Sequence, residues 1–125
     1  MPVANPNHVD IGAFTLPADT DLSTKQYYFM DCNSDGEAVV AGAGSTCVGV
    51  LGNAPSAAGQ SAEIMYRGVV PVVCGGTVAT GDAVKIDSAG KAVAASSGDK
   101  AVGRALSTGA AGTQANILLQ PHVMA

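Results

Sequence analysis

The stretch GDAVKIDSAGKAVAASSGDKAVGRAL, residues 81–106, consists of short apolar runs separated by turn-forming residues. DAVKI, KAVAA and KAVGRAL each have the length of a strand, and Gly, Asp or Ser stands at their ends. Such runs are typical of β-strands joined by tight turns. The stretch therefore predicts antiparallel β-structure, with Gly90 of DSAG in a turn where a positive φ is needed.

Turn signals of the same kind recur along most of the chain, at intervals of about ten residues. NSDG at 33–36, GNAPSAAG at 52–59 and STGAAG at 107–112 are examples, and strand-length segments lie between them. The best helical candidate, TVATGDAVK at 77–85, is broken by Gly81 and is interpreted as a loop that enters a strand. We therefore expect a mainly β fold.

The first half of the chain repeats the pattern of the opening stretch. NSDGEAVVAGAGSTCVGVLG, which starts at Asn33, aligns with DSAGKAVAASSGDKAVGRAL, which starts at Asp87, and Gly36 falls on Gly90. After a one-residue gap Ile64 falls on Ile117, so the period is about 54 residues. The alignment predicts an internal duplication with repeats at about 27–68 and 81–121, and places the turn glycines Gly36 and Gly90 at equivalent positions.

Composition and charge exclude several classes of protein. A chain of 125 residues suits one domain, and only 13% of its residues are charged. The net charge is −4, so no basic surface is expected to bind nucleic acid or an anionic membrane. Neither a long apolar run nor the basic and apolar regions of a signal peptide are found, which predicts synthesis and retention in a cytoplasm.

Residues 1–22 differ from the rest and predict an extended N-terminal arm in front of a β-rich domain at 23–125. Pro2, Pro6 and Pro17 lack the N–H donor that a β-ladder uses. The arm nevertheless has more apolar side chains than a solvated tail needs, so it is expected to lie against its own domain or against a neighbouring molecule. We hypothesise that residues 1 to about 18 make intermolecular contacts through Val3, Val9, Ile11, Phe14 and Leu16.

The residues with reactive side chains form no recognisable site. His8 and His122 lack a nucleophile or carboxylate partner in sequence, and the aspartates mostly stand in turns. Cys32, Cys47 and Cys74 are odd in number and contain no C-x-x-C pair, so three reduced, mostly buried side chains are expected. The sequence therefore predicts no catalytic, metal or cofactor site, and no enzyme.

Lys100 is the one candidate for a carried cofactor. The step GDKAVG at 98–103 resembles the Asp-Lys-Ala hairpin tip of lipoyl domains, but the acidic residue that normally precedes the Asp is missing. The Ala-Met-Lys-Met of biotin carriers is also absent. A turn residue before a strand is the favoured interpretation. A lipoyl- or biotinyl-type carrier, or a hydrolase-accessory β-domain, is the alternative.

The order of these motifs between residues 27 and 120 resembles that of tailed-bacteriophage capsid decoration proteins, also called cement proteins. The resemblance rests on an apolar strand followed by GDAVKIDSAGKAVAA, VGRAL, a Gly/Ala loop and NILL. It implies a compact single-domain antiparallel β-sandwich or barrel-like fold, similar to a β-tulip. It also implies a structural protein of the virion that binds the outer surface of an assembled head and stabilises the capsid against internal DNA pressure. The implied partners are the major capsid protein and other copies of the chain, in a homotrimer; no cofactor is implied, and no catalytic residue can be carried over.

Overall fold

Ten β-strands follow one another along the part of the chain that the computed structural model describes. It describes residues 12–43, 45 and 49–123, with the backbone alone for 120–123. The strands are β1 Gly12–Pro17, β2 Phe29–Cys32, β3 Ala38–Val40, β4 Gly49–Leu51, β5 Ser61–Arg67, β6 Val69–Val73, β7 Ala83–Ile86, β8 Ala92–Ala94, β9 Lys100–Ala105 and β10 Gln114–Val123.

The strands form two antiparallel sheets of five. The N-terminal sheet has the order β1-β5-β4-β2-β3, and the C-terminal sheet has the order β6-β10-β9-β7-β8. The described residues include no helix, and hence none that is long and apolar enough to cross a membrane. The fold is therefore an all-β sandwich, as the sequence predicted.

The two sheets are two copies of one five-stranded unit. Strand n of the first sheet occupies the place of strand n + 5 in the second, and the register agrees as well. Met30 pairs with Gly49 and Val84 with Gly103, so both partners are displaced by 54 residues. Leu16 pairs with Ala62, and Val72 pairs with Ala115. Here the residues of β5 and β10, Ala62 and Ala115, are 53 residues apart. The one-residue gap in the sequence alignment thus lies between β4 and β5.

The tight turns of the two units are also built alike. The carboxamide oxygen of Asn33 accepts hydrogen bonds from the backbone N–H groups of Asp35 and Glu37. The carboxylate of Asp87 accepts them in the same way from Ala89 and Lys91. Each turn ends in a glycine, Gly36 with φ 78° and Gly90 with φ 81°. A short polar side chain that binds the backbone two residues later stabilises such a turn locally.

Each sheet has an inner face, whose side chains form the core of its own unit, and an outer face. In the N-terminal unit seven buried residues form a separate cluster, and their counterparts in the C-terminal unit all belong to a larger cluster. The seven are Ala18, Leu22, Met30, Ala38, Leu51, Ala62 and Ile64. The counterparts are Cys74, Val78, Val84, Ala92, Ala105, Ala115 and Ile117.

The larger cluster is completed from the N-terminal sheet. Phe29, Val50 and Met65 stand side by side on its outer face, since Phe29 pairs with Val50 and Val50 with Met65. They are at most 7% exposed and belong to the same buried cluster as Val70 and Ile117 of the C-terminal unit. The outer face of the first sheet therefore covers the core of the second unit.

Backbone contacts fix the two units against each other. The N–H of Val73 donates to the carbonyl of Tyr27 (3.0 Å), and the N–H of Phe29 donates to the carbonyl of Gly90 (2.8 Å). A Cβ added to Gly90 would lie 2.5 Å from Val40 Cγ1. The β7–β8 turn is thus in close contact with the N-terminal sheet and accepts no larger residue without a shift.

The structure gives part of the predicted arm a different role. Residues 12–17 form β1, an edge strand that pairs with β5, so the repeated unit begins well before residue 27. Edge strands tolerate proline, and for this reason Pro17 did not exclude a strand. Leu16 is half-buried and packs against the cluster of its own unit. Val3, Val9 and Ile11 lie outside the described residues.

The two described cysteines are both free, and they differ in burial. Cys74 is buried, and burial raises the pKa of its thiol. Cys32 is exposed, because it is the last residue of β2, directly before the turn, and its thiol donates to the carbonyl of Asn33 (3.4 Å). Cys47 lies outside the described residues.

Candidate interaction surface

Edge strand β1 and the end of β5 bring two exposed aromatic rings together. Phe14 pairs with Ile64, and the register shifts between Gly12 and Ala13, so that Tyr66 has no partner of its own in the ladder. The ring of Tyr66 lies over Gly12, where an added Cβ would be 2.7 Å from its Cζ. The centroids of the Phe14 and Tyr66 rings are 5.7 Å apart at an interplanar angle of 44°. We call this pair the aromatic end.

Both rings are largely open to solvent. Phe14 is 39% exposed and Tyr66 47%, and with Leu106 they are the large hydrophobic side chains classed as exposed among the described residues. The guanidinium of Arg67 lies 5.9 Å from the centre of the Tyr66 ring. Tyr, Phe and Arg are enriched at protein interfaces, because they provide a large contact area and a polar group together. The aromatic end therefore has the composition of a binding surface.

In the C-terminal unit, the position that corresponds to the aromatic end is covered by other side chains. By the register of the two sheets, Phe14 corresponds to Val70 and Tyr66 to Leu119. Val70 is fully buried, and Leu119 is half-buried against the larger cluster. The corresponding position is thus covered in the C-terminal unit and open in the N-terminal unit.

The other residues singled out from the sequence are spread over the molecule. Gly36 lies in the β2–β3 turn, where an added Cβ would meet no described atom within 4 Å, whereas Gly90 is packed between the units. His122 lies in β10, where the backbone alone is described, and His8 lies outside the described residues. Within the described part of the chain no three His, Cys, Asp or Glu side chains come close enough to hold a metal ion.

Lys100 begins β9 and does not lie at the tip of a hairpin. β8 pairs with β7, and β9 pairs with β7 and β10, so the turn before Lys100 joins strands that are not neighbours. The carboxylate of Asp99, in this turn, lies 3.0 Å from the ammonium group of Lys85 in β7. The backbone N–H of Ser96, followed by Lys85, holds the pKa of Asp99 below its ordinary value. These contacts are those of a surface turn that is stabilised by a carboxylate.

Sequence reasoning missed Tyr66, which is part of the aromatic end. AEIMYRGVVPVV at 62–73 was interpreted as one apolar segment, whereas the chain ends β5 at Arg67 and begins β6 at Val69. Gly68, with φ 101°, separates the two strands. The available signal was the Arg-Gly step, since glycine commonly marks a strand end.

Comparison with known proteins agrees with the resemblance seen in the sequence. The family model described as phage cement protein matches residues 10–120. The chain belongs to the phage cement protein family. Among curated protein sequences none matches this family member.

A solved structure shares the fold of this family member. The N base of the head fiber gp8.5 in bacteriophage phi29 superimposes with a TM-score of 0.72 at 16% sequence identity. The superposition covers 89% of this chain and 95% of that chain. At this identity the likeness shows a common fold. The family match supports a phage capsid structural protein.

Proposed function

We propose that the protein binds the outer surface of an assembled phage head and stabilises the capsid against the pressure of the packaged DNA. The observation that carries the proposal is the family match over residues 10–120. The partners are the major capsid protein and further copies of the chain, in a homotrimer. The protein is synthesised in the host cytoplasm, has no enzymatic activity and acts by binding alone.

The architecture supports this role. Two units share one continuous buried cluster, so a force applied to one unit is transmitted to the other through packed side chains. A rigid body that contacts several capsid subunits at once gains avidity without a tight individual contact. The net charge of −4 suits a position outside the shell, where the protein does not meet the genome.

Residues 1–11 provide the contact with the capsid protein in this proposal. Val3, Val9 and Ile11 precede an edge strand that is already part of the domain. Each would contribute about 1–3 kcal/mol if binding removed it fully from water. The remaining predicted arm residues belong to the domain, with Leu16 packed against its core.

The proposal is tested on phage heads that lack the protein. Purified protein is added back, its position is determined by cryo-electron microscopy, and DNA release is followed on heating. We expect density outside the shell and a higher release temperature than for undecorated heads. Density inside the shell, or an unchanged release temperature at full occupancy, would contradict the proposal.

The contact region is tested with a protein that lacks residues 2–11. This deletion leaves β1 intact, so the melting temperature should stay unchanged while co-sedimentation with heads is lost. The matched point variant Ile11→Asp should weaken binding in the same direction. A folded truncated protein that decorates heads at full occupancy would assign the capsid contact to the β-domain.

A further inference from the structure

The two units of the chain contact each other through different surfaces. The N-terminal unit uses the outer face of its sheet, where Phe29, Val50 and Met65 form a row. The C-terminal unit uses one end of its core, where Val70 is buried in the same cluster as that row. Contacts between unlike surfaces of similar units are heterologous, and they can be continued by a further unit.

Both surfaces occur a second time in the chain, and there they are open. The aromatic end, Phe14 and Tyr66, corresponds to the covered end of the C-terminal core. The row on the outer face of the N-terminal sheet has its counterpart on the C-terminal sheet, where Leu118 pairs with Val69 and with Arg104. We call this counterpart the outer row; it consists of Leu118, Arg104 and Ala83, and Val69 continues it as the partner of Leu118.

The outer row is apolar except at one position and is not buried. Val69, Leu118 and Ala83 are half-exposed, and Arg104 is exposed. Arg104 stands where the buried row has Val50, and its Nη1 donates to the carbonyl of Gly81 (3.0 Å). This hydrogen bond holds the guanidinium close to the sheet, where it can stack on an aromatic ring.

The side chains of the two open surfaces fit each other in size and in chemistry. Inside the chain a row of large residues, including Phe29, covers a core end formed by Val70 and Leu119. At the open surfaces the large side chains lie on the other partner. The outer row has the small Ala83 where the buried row has Phe29, and the core end has the large rings of Phe14 and Tyr66. The small residue leaves space for a ring, and Arg104 supplies a cation for it.

We propose that a second copy of the chain continues the stack, with the outer row of one copy covering the aromatic end of the next. The contact is heterologous, so one copy contributes Leu118 and Arg104 while the other contributes Phe14 and Tyr66. Repeated around a closed ring, one such contact per copy gives the homotrimer of the proposed function. The inference thus deepens that proposal and adds the surface by which copies associate.

The experiment measures self-association of the full chain by sedimentation velocity. The wild-type protein should associate, whereas Tyr66→Asp and Leu118→Asp, one on each surface, should each weaken association at least tenfold. Val93→Asp is the matched control. Val93 is, like Leu118, a half-exposed apolar residue of the C-terminal sheet. It pairs with Lys85, and its strand β8 lies three strands from β10. It should associate like the wild type.

Mixing the two variants separates a heterologous contact from a symmetric one. A Tyr66→Asp molecule retains its outer row, and a Leu118→Asp molecule retains its aromatic end, so an equimolar mixture still contains one intact pair of surfaces. We expect heterodimers that stop at two subunits. If the Asp variants melt below the wild type, Tyr66→Ser and Arg104→Glu, both at exposed positions, replace them in the same mixture.

Several results would overturn the inference: a wild-type protein that stays monomeric, single variants that associate like the wild type, or a mixture that stays monomeric. Co-sedimentation with heads is measured on the same samples. If the single variants self-associate like the wild type and the wild type binds heads, the contact between the outer row and the aromatic end is rejected and the proposed function stays intact. A wild-type protein that does not co-sediment with heads would reject the proposed function instead.

Discussion

At the scale of single residues, the two turn glycines have the same backbone conformation but different neighbouring atoms. Gly36 and Gly90 have almost the same φ and follow the same kind of side-chain-stabilised turn. A Cβ on Gly36 would point to open space among the described atoms, whereas one on Gly90 would meet Val40 and the carbonyl of Ala41. Backbone geometry is therefore shared, and packing is not.

This difference predicts unequal effects of the same substitution. Gly36→Ala should lower the free energy of unfolding by about 1 kcal/mol, because a Cβ disfavours the left-handed region. Gly90→Ala should cost about 1–3 kcal/mol more, because the added methyl group also overpacks the contact between the units. Urea denaturation measures both values. Equal losses for the two variants would show that the close approach of Gly90 to Val40 has no energetic weight.

Tyr27 is the opposite case, in which an unfavourable backbone conformation is kept for a side chain. It is the non-glycine residue with a positive φ, 69°, among the described residues, and its counterpart is Gly81 with φ 94°. The N–H of each donates to an equivalent carbonyl, that of Leu51 or that of Ala105. Tyr27 also packs against the larger cluster at the junction of the units. Packing thus outweighs the backbone preference here.

At the scale of elements, the turn between β8 and β9 depends on a charged carboxylate. Asp99 accepts a hydrogen bond from the N–H of Ser96 (2.8 Å) and pairs with Lys85. These contacts lower the pKa of Asp99 in the folded state. A lowered folded-state pKa means that the stabilisation is fully present above the pKa of the unfolded chain, and that it is lost as the pH falls through the folded-state pKa.

We therefore expect Asp99→Asn to reduce the loss of stability at acid pH. The wild type should lose this contribution below about pH 4, the ordinary range of an aspartate, whereas the variant should show a flatter melting temperature there. Asp35→Asn, at an exposed aspartate of the β2–β3 turn, removes the same charge and serves as the control. The measurement is the melting temperature between about pH 7 and pH 2. Identical pH profiles for the wild type and Asp99→Asn would reject the stabilisation of this turn by the charged Asp99.

At the scale of the whole molecule, one sheet lies between two cores. The N-terminal sheet packs Met30 and Leu51 into its own core and Phe29 and Val50 into the core of the next unit. On the outer face of the C-terminal sheet, Arg104 is exposed at the position that Val50 occupies in the N-terminal sheet. The same position in the repeat is therefore a core residue in one unit and a surface residue in the other.

Exchanging the residues at this position should have opposite consequences. Val50→Arg should lower the free energy of unfolding by about 3 kcal/mol or more, because it places an unpaired charge between the units. Arg104→Val should leave the fold intact, since the residue is exposed. Chemical denaturation of both variants provides the measurement. A stable Val50→Arg protein would mean that the two units are not packed as described.

The sequence by itself determined the all-β fold class, the strands between the turns and the relation between the two halves. Those features are local, because turn chemistry at Asn33 and Asp87 and the glycines that follow act within a few residues of the chain. The sequence did not reveal that Gly12–Pro17 is a strand, because a proline at a sheet edge costs no ladder hydrogen bond and the partner, β5, is distant in sequence.

The tertiary structure decided which of the equivalent surfaces is covered. Val50 and Arg104, Phe14 and Val70, and Gly36 and Gly90 occupy matching places in the two units, and in each pair one residue is buried and the other is more exposed. That depends on how one unit lies on the other, which is set by contacts between residues far apart in the chain, such as Phe29 with Gly90 and Tyr27 with Val73. The aromatic end is exposed for this reason: the heterologous contact that covers the second core leaves the equivalent end of the first core open.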